Sequence, residues 1–245
     1  MGDNIFTFLI DPGPASFFNF KFLPKYAFYF VQGVEYTLLL SVVSVLLAII
    51  PALVLALMRL SKVRIVRMIS GAYIAVFRST PLLVQLAIIY FGVFYIIQVP
   101  SYRLFGFIPL KQFVPAVVAL SLNSASYVAE IFRAGILAVD IGQTEAARSL
   151  GLSPWQAMRL VVLPQAIKNI LPALANEVVT MVKESSICSA YGMMELMWAA
   201  KTVASTTHIS VGSYVFIALI YFCINYTASK GIEVIERRMR RGDKR

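Results

Sequence analysis

Arg78, Glu130, Arg133 and Glu177 are ionisable residues set among long runs of apolar side chains. Such groups are costly inside a bilayer and mark a polar cavity or a partner, so each is a candidate site by its place alone. Their chemistry is recognition of charge rather than bond breaking. Arg78 precedes Ser79-Thr80-Pro81, and Pro81 removes a donor from the helix ladder. Thr80 as cap and Pro81 as first residue would start a new half-helix, whose positive end, together with Arg78, can receive a carboxylate. The alternative is a structural Arg78 paired with an acid such as Glu130. Asn123, Ser126, Tyr127, Glu130 and Arg133 recur at spacings of three and four, which makes one stripe of a helix and suits a gate or a structural polar seam. Further along, Glu177, Thr180 and Glu184 share a helix face, and Lys183-Glu184-Ser185-Ser186 is a polar break at its end. If Glu177 faces a pathway it complements an ammonium or guanidinium group. If it pairs with Lys183 or Arg78 it says nothing about a ligand, and the sequence leaves both open. Arg78, Thr80, Pro81, Glu177, Thr180 and Ser185 form the candidate binding set.

Catalysis is not indicated. Cys188 and Cys223 are isolated and read as packing residues, there is no CxxC, and His208 is the one histidine, so neither a metal cluster nor a nucleophile with its base can be assembled.

The elements that must hold these residues follow from hydropathy. The 245 residues are 59% hydrophobic and 14% charged, with a mean hydropathy of +0.78, beyond what a water-soluble core requires. Windows free of Asp, Glu, Lys and Arg lie between Tyr36 and Arg59, Arg78 and Arg103, Lys111 and Glu130, and Lys201 and Lys230. Each is near the ~20 residues of a spanning helix. A further stretch from Lys168 to Met194 is interrupted by Glu177, Lys183 and Glu184. Arg59, Lys62, Arg64 and Arg67 mark one inner loop, and the tail with Arg237, Arg238, Arg240, Arg241, Lys244 and Arg245 marks an inner C-terminus. An outer N-terminus and inner C-terminus require an odd number of crossings. The expectation is an all-α, multi-pass integral membrane protein of five transmembrane helices, with the N-terminus outside and the C-terminus cytoplasmic. Its net charge of +10 is an orientation signal beside anionic lipid rather than a nucleic-acid footprint. Residues 1–30 read as an external interfacial segment, 31–236 as the transmembrane domain with a cytoplasmic segment at 140–159, and 237–245 as a basic tail. The helices are expected at about Gln32–Met58, with Ala48, Ala52 and Ala56 as a small-residue ridge, then Ile69–Gln98, Phe113–Leu137, a fourth ending near Lys183, and a fifth from about Gly212.

The inner segment can be read from its caps. Asp140 with Gln143 has the spacing of a capping box, and Gly151 has the identity of a helix-ending residue. Ser153-Pro154-Trp155-Gln156 gives an N-cap, a proline at the first helical position and a second capping box. Two short helices about a glycine hinge present Glu145, Ala146 and Ala147, a surface suited to a docking partner.

Glu145-Ala146-Ala147, then Gly151, then Val161-Val162-Leu163-Pro164 resembles the EAA loop of ATP-binding-cassette importer permeases, with Val161 where isoleucine is usual. The stretches from Phe77 to Gln85 and from Tyr127 to Ile136 resemble the polar amino acid branch of that family, with Ser79 in place of its common glycine. The resemblance runs from about the first span to the C-terminus and implies the type I ABC importer transmembrane fold. It further implies a second permease subunit, two cytoplasmic ATP-binding subunits, an external solute-binding protein and an amino acid substrate, with Glu145, Ala146, Ala147 and Gly151 as the coupling element. The chain holds no G-x-x-x-x-G-K-[ST], so ATP and Mg would be bound by the partner and no cofactor is expected in this chain. The runner-up is an ion-coupled carrier or channel without an ATPase.

Overall fold

The computed structural model describes residues 18–241, so the expectations for residues 1–17 and for the last residues of the tail lie outside the described residues. The described chain is built of helices α1 (Leu23–Leu60), α2 (Arg64–Ser79), α3 (Leu82–Ala87), α4 (Phe94–Ile96), α5 (Leu110–Leu137), α6 (Ile141–Ser149), α7 (Pro154–Ala157), α8 (Leu163–Glu184), α9 (Leu196–Thr207) and α10 (Ser210–Arg241). A small antiparallel pair, β1 (Arg103–Leu104) with β2 (Ile108–Pro109), precedes α5, with Arg103 opposite Pro109.

α1, α5 and α10 are each long and apolar enough to cross a bilayer. α2 and the helical run from Leu82 to Ile96 together make one further candidate, bent by 104° at the Thr80-Pro81 break. α8 is not among the candidates, because Lys168, Glu177, Lys183 and Glu184 dilute its apolar content. The chain is a multi-pass membrane protein.

Four local expectations need adjustment. α1 begins at Leu23, ahead of Gln32, so the aromatic run joins the helix, with Pro24 in the first turn where a missing N–H costs nothing. α7 does not end before the next helix: it continues through a π turn at Met158–Val162 into α8. There Leu163 N donates to Met158 O, a five-residue step that carries the ladder past Pro164, which has no N–H to give. The connection after α8 is structured, as a 3-10 turn at Ser185–Tyr191 followed by α9. Cys188 is buried as a packing residue should be, whereas Cys223 is exposed.

The chain divides into two compact units. One comprises, among the described residues, 44–85, 120–180 and 228–241. Its core is Ala48, Ala52 and Ala56 of α1 packed with Ile74, Ala125, Val128, Ala129, Phe132, Ala166 and Ile170. The predicted alanine ridge is fully buried, since only a methyl group lets helices approach this closely. Gly135 has no room for a side chain: an added Cβ would overlap the Ile170 side chain. The other unit comprises, among the described residues, 18–43, 86–119 and 181–227. Its core gathers Phe22, Phe30, Leu196, Ala199, Ala200, Val203 and Ile217, with Phe30 and Phe216 edge to face at 4.9 Å. Gly33 passes so near α9 that a Cβ would sit 3.0 Å from Leu196 Cα.

Candidate substrate and coupling sites

The break in the second span is formed by residues 76–85. Thr80 is extended (φ −108°, ψ 143°), and its N–H and hydroxyl both donate to Val76 O, the latter at 2.8 Å. The hydroxyl therefore closes α2 instead of capping α3, which corrects the expectation that Thr80 would start the new half-helix. Pro81 O takes over as acceptor for Val84 N and Gln85 N. Gln85, buried, donates from Nε2 to Phe77 O (2.8 Å), Thr80 O (3.0 Å) and Thr80 Oγ1 (2.8 Å). Asn123 of α5 donates from Nδ2 to Gln85 Oε1 at 2.8 Å.

Arg78 is exposed on the last turn of α2, and its guanidinium lies over the Tyr127 ring at 5.1 Å from the centroid. Glu130 does not pair with it. Arg133 donates from Nε and lies through Nη2, each at 2.8 Å, against one oxygen of Glu130, Oε2, while Glu130 Oε1 is 3.6 Å from Arg59 Nε. Thus Tyr127 serves Arg78, Glu130 and Arg133 form a charged knot with Arg59, and Ser126 donates to Asn123 O. The predicted stripe is real but splits into separate contacts.

Glu177 is 8% exposed and accepts a hydrogen bond from Ser124 Oγ at 2.8 Å. Neither Lys183 nor Arg78 forms an ion pair with it among the described residues. Thr180 is half-buried on the same helix. Ser185, in the other unit, is buried with its hydroxyl turned onto Val182 O at 2.8 Å.

The capped segment at 140–159 has the expected form with one change. Asp140 Oδ1 accepts from Gly142 N, so it caps α6, but no reciprocal Gln143 side-chain contact completes a box. Gly151 adopts φ +86°, the left-handed turn open to glycine, and Leu152 N reaches back to Ala147 O while Arg148 Nη1 holds Leu152 O at 2.8 Å. Ser153 and Gln156 form a full capping box. Glu145 and Ala146 are exposed, Ala147 is buried, and Ile141 (74% exposed), Leu150 (84%) and Trp155 (69%) are bare apolar side chains around the hinge.

Sequence reasoning passed over two groups. Gln85 stood inside the Phe77–Gln85 stretch as a lone amide in an apolar run, which is the signal that could have found it. Glu195, fully buried, caps α9 by accepting from Met197 N (2.8 Å) and Trp198 N (2.7 Å) and also from Tyr221 OH (3.1 Å). Burial pushes its pKa up to about 7, against the three donors and nearby Lys201, which act the other way. A lone acid between Gly192 and the small residues Ala199 and Ala200 was its signal.

Over residues 44–241 the chain matches the family model described as a binding-protein-dependent transport system inner membrane component. The arginine transport system permease protein ArtQ of Bacillus subtilis is 40% identical over 215 residues, which cover 88% of this chain and 94% of the relative. A Rickettsia conorii protein that carries the name of a glutamine transport system permease, GlnP, is 40% identical over 223 residues, 89% of this chain and 96% of its own. Among solved structures, the crystal structure of an amino acid ABC transporter with histidines is 44% identical with a TM-score of 0.79, covering 88% of this chain and 96% of that one. An inward-facing MetNI methionine ABC transporter, 22% identical with a TM-score of 0.66, shares the fold. The packed helices, the broken span and the glycine-hinged segment therefore fall into place together: the chain belongs to the family of binding-protein-dependent transport system inner membrane components.

Proposed function

We propose that this chain is the membrane-spanning permease subunit of an ATP-driven importer for a polar amino acid, working by alternating access in a bacterial inner membrane. In this reading α8 is a fifth span, the N-terminus lies outside and the C-terminus in the cytoplasm, as the basic first loop and tail support. A second permease copy or homologous chain, two cytoplasmic ATPase subunits that bind ATP and Mg, and an external solute-binding protein complete the transporter. ATP is hydrolysed by the partner.

The observation that carries the reading is the α6–Gly151–α7 segment. A capped, glycine-hinged pair of short helices with Ile141, Leu150 and Trp155 bared is built to be covered by another protein. Arg78 is the proposed contact for the substrate α-carboxylate, with Thr80 and Pro81 fixing its place. Glu177, with Thr180 as its polar neighbour, is the proposed contact for the substrate side chain, and Ser185 is a further proposed polar contact. An exposed guanidinium resting on an aromatic ring and a buried carboxylate held by one hydroxyl both have capacity left for a ligand.

The test is affinity purification in mild detergent with mass-spectrometric identification of what copurifies, for wild type and Gly151→Asp. Open space surrounds the Gly151 Cα, so the variant acts on the backbone turn and the docking face without disturbing the core. A P-loop ATPase recovered with wild type and lost in the variant is the expected result. A folded protein that brings down no ATPase would move the assignment to an ion-coupled carrier or channel.

A further inference from the structure

The break at Pro81 leaves carbonyls of the second span without their helical donors, Phe77 O and Thr80 O among them. Phe77 O would have received the N–H of residue 81, which proline lacks, and Thr80 O would have received Val84 N, which goes to Pro81 O instead. In a membrane-spanning segment such groups must find partners within the protein. One side chain supplies both: the Gln85 amide donates to Phe77 O at 2.8 Å, to Thr80 O at 3.0 Å and to Thr80 Oγ1 at 2.8 Å. Its own oxygen is taken by Asn123 Nδ2 at 2.8 Å, and the same Nδ2 lies 3.4 Å from Phe77 O. The two amides thus form a closed relay from α5 to the break, and its direction is fixed, because each acceptor at the break is a carbonyl or a hydroxyl already donating to Val76 O. Both side chains are buried.

The relay straddles Arg78. Phe77 and Thr80, the residues it grips, flank the arginine on either side, and the ring beneath the guanidinium belongs to Tyr127, one helical turn beyond Asn123 on α5. Tyr73 adds a second tie, its ring tilted against Phe77 at 4.5 Å between centroids and its hydroxyl donating to Leu122 O at 2.8 Å. Gripping Phe77 and Thr80 from α5 therefore fixes where the guanidinium stands against its ring. We infer that Gln85 and Asn123 are positioning residues that hold the proline break, and through it the Arg78 guanidinium, in the geometry that receives substrate.

This inference rests on the reading of Arg78 as the carboxylate contact, and two measurements separate the two. The first is hydrogen–deuterium exchange of the complete transporter in nanodiscs. Gln85→Met, which keeps the length and removes both amide functions, is expected to raise exchange several-fold in peptides covering residues 76–86 and to leave α1 peptides unchanged. Unchanged exchange across the break would overturn the clamp whatever the substrate is.

The second is equilibrium binding of tritiated arginine and tritiated glutamine to the purified complex without the external binding protein, alongside ATP turnover with it. Gln85→Asn and Asn123→Gln, each alone, are expected to weaken binding of the transported amino acid about tenfold while maximal turnover stays within about twofold. The double exchange, which moves one methylene across the pair and restores its summed length, is expected to bring binding back to within about threefold of wild type. A merely structural role predicts lower yield and turnover with unchanged affinity, and that outcome would overturn the positioning role. Arg78→Ala runs beside them: if it leaves affinity unchanged, the carboxylate contact falls, while the exchange experiment still decides the clamp.

Discussion

Two buried glutamates show how differently the same side chain can be housed. Glu195 is surrounded by donors: two backbone N–H groups at the start of α9 and the Tyr221 hydroxyl, with Lys201 nearby. Glu177 has one hydroxyl, Ser124 Oγ. A carboxylate offers about four lone-pair positions. Glu195 has spent its capacity on its own fold, which makes it a structural element, whereas Glu177 keeps most of its capacity.

The sharpest way to break this contrast is to remove each acid. Glu195→Ala leaves two N–H groups and a phenol without their acceptor in a dry site and is expected to cost about 3 kcal/mol or more. Thermal unfolding in detergent, read by tryptophan fluorescence or size-exclusion recovery, measures it. Glu177→Gln keeps an acceptor for Ser124 and is expected to change stability by less than about 1 kcal/mol. If the two variants were equally unstable, the distinction between a structural and an exchangeable carboxylate would be lost.

Acidity sharpens the comparison further. With Glu195 raised from the ordinary 4.5 to about 7 in the fold, the folded state holds its proton more tightly than the unfolded chain does. Its contribution to stability is complete below about 4.5 and fades as the pH rises through about 7, so the unfolding midpoint should fall between pH 5 and 8. The loss is up to about 3 kcal/mol, since each tenfold difference in proton affinity between the two states is worth ~1.4 kcal/mol. Tyr36, Cys188, Lys201 and Tyr221 face the same carboxyl, and Glu195→Gln should flatten the slope while they remain.

Packing offers a check on the alanine-lined unit. Gly135→Ala forces Ile170 to move and is expected to cost about 1–3 kcal/mol by overpacking, seen as a lower unfolding midpoint. The smallest stability effect comes with the largest functional one: Glu177→Gln should shift discrimination between arginine and glutamine by about tenfold in a binding or uptake assay, through loss of one charge opposite the substrate side chain. Equal discrimination before and after would remove Glu177 from substrate recognition.

Much of this was legible in the residues alone. The alanine ridge on α1, the glycine turn at 151 and the Ser153–Gln156 box each depend on a residue type whose local geometry is nearly obligatory, so sequence sufficed. The partners of Arg78, Glu130 and Glu177 depend on which turns of separate helices meet, and that is set by packing. Periodicity put Tyr127 and Glu130 on one stripe, yet could not say that the ring would take Arg78 and the acid would take Arg59 and Arg133. Thr80 was misread for a related reason: a threonine before proline can cap forward or bond backward to residue i−4, and here the hydroxyl bonds back to Val76 O, which also accepts the Thr80 N–H. The π turn before α8 was hidden because Pro164 reads as a helix break, whereas a single five-residue step carries the ladder past it.

That π turn has a mechanical consequence. From Pro154 to Thr180 the chain is one uninterrupted helical rod, about 40 Å long at 1.5 Å per residue, with the Ser153 box clamped on one end and Glu177 near the other. Two features soften it, the wide turn at Met158–Val162 and Pro172, which withholds a donor inside α8. Under the proposed coupling, a thrust at the Gly151 hinge would reach Glu177 through a continuous helical backbone and shift the acid relative to Ser124 without touching it.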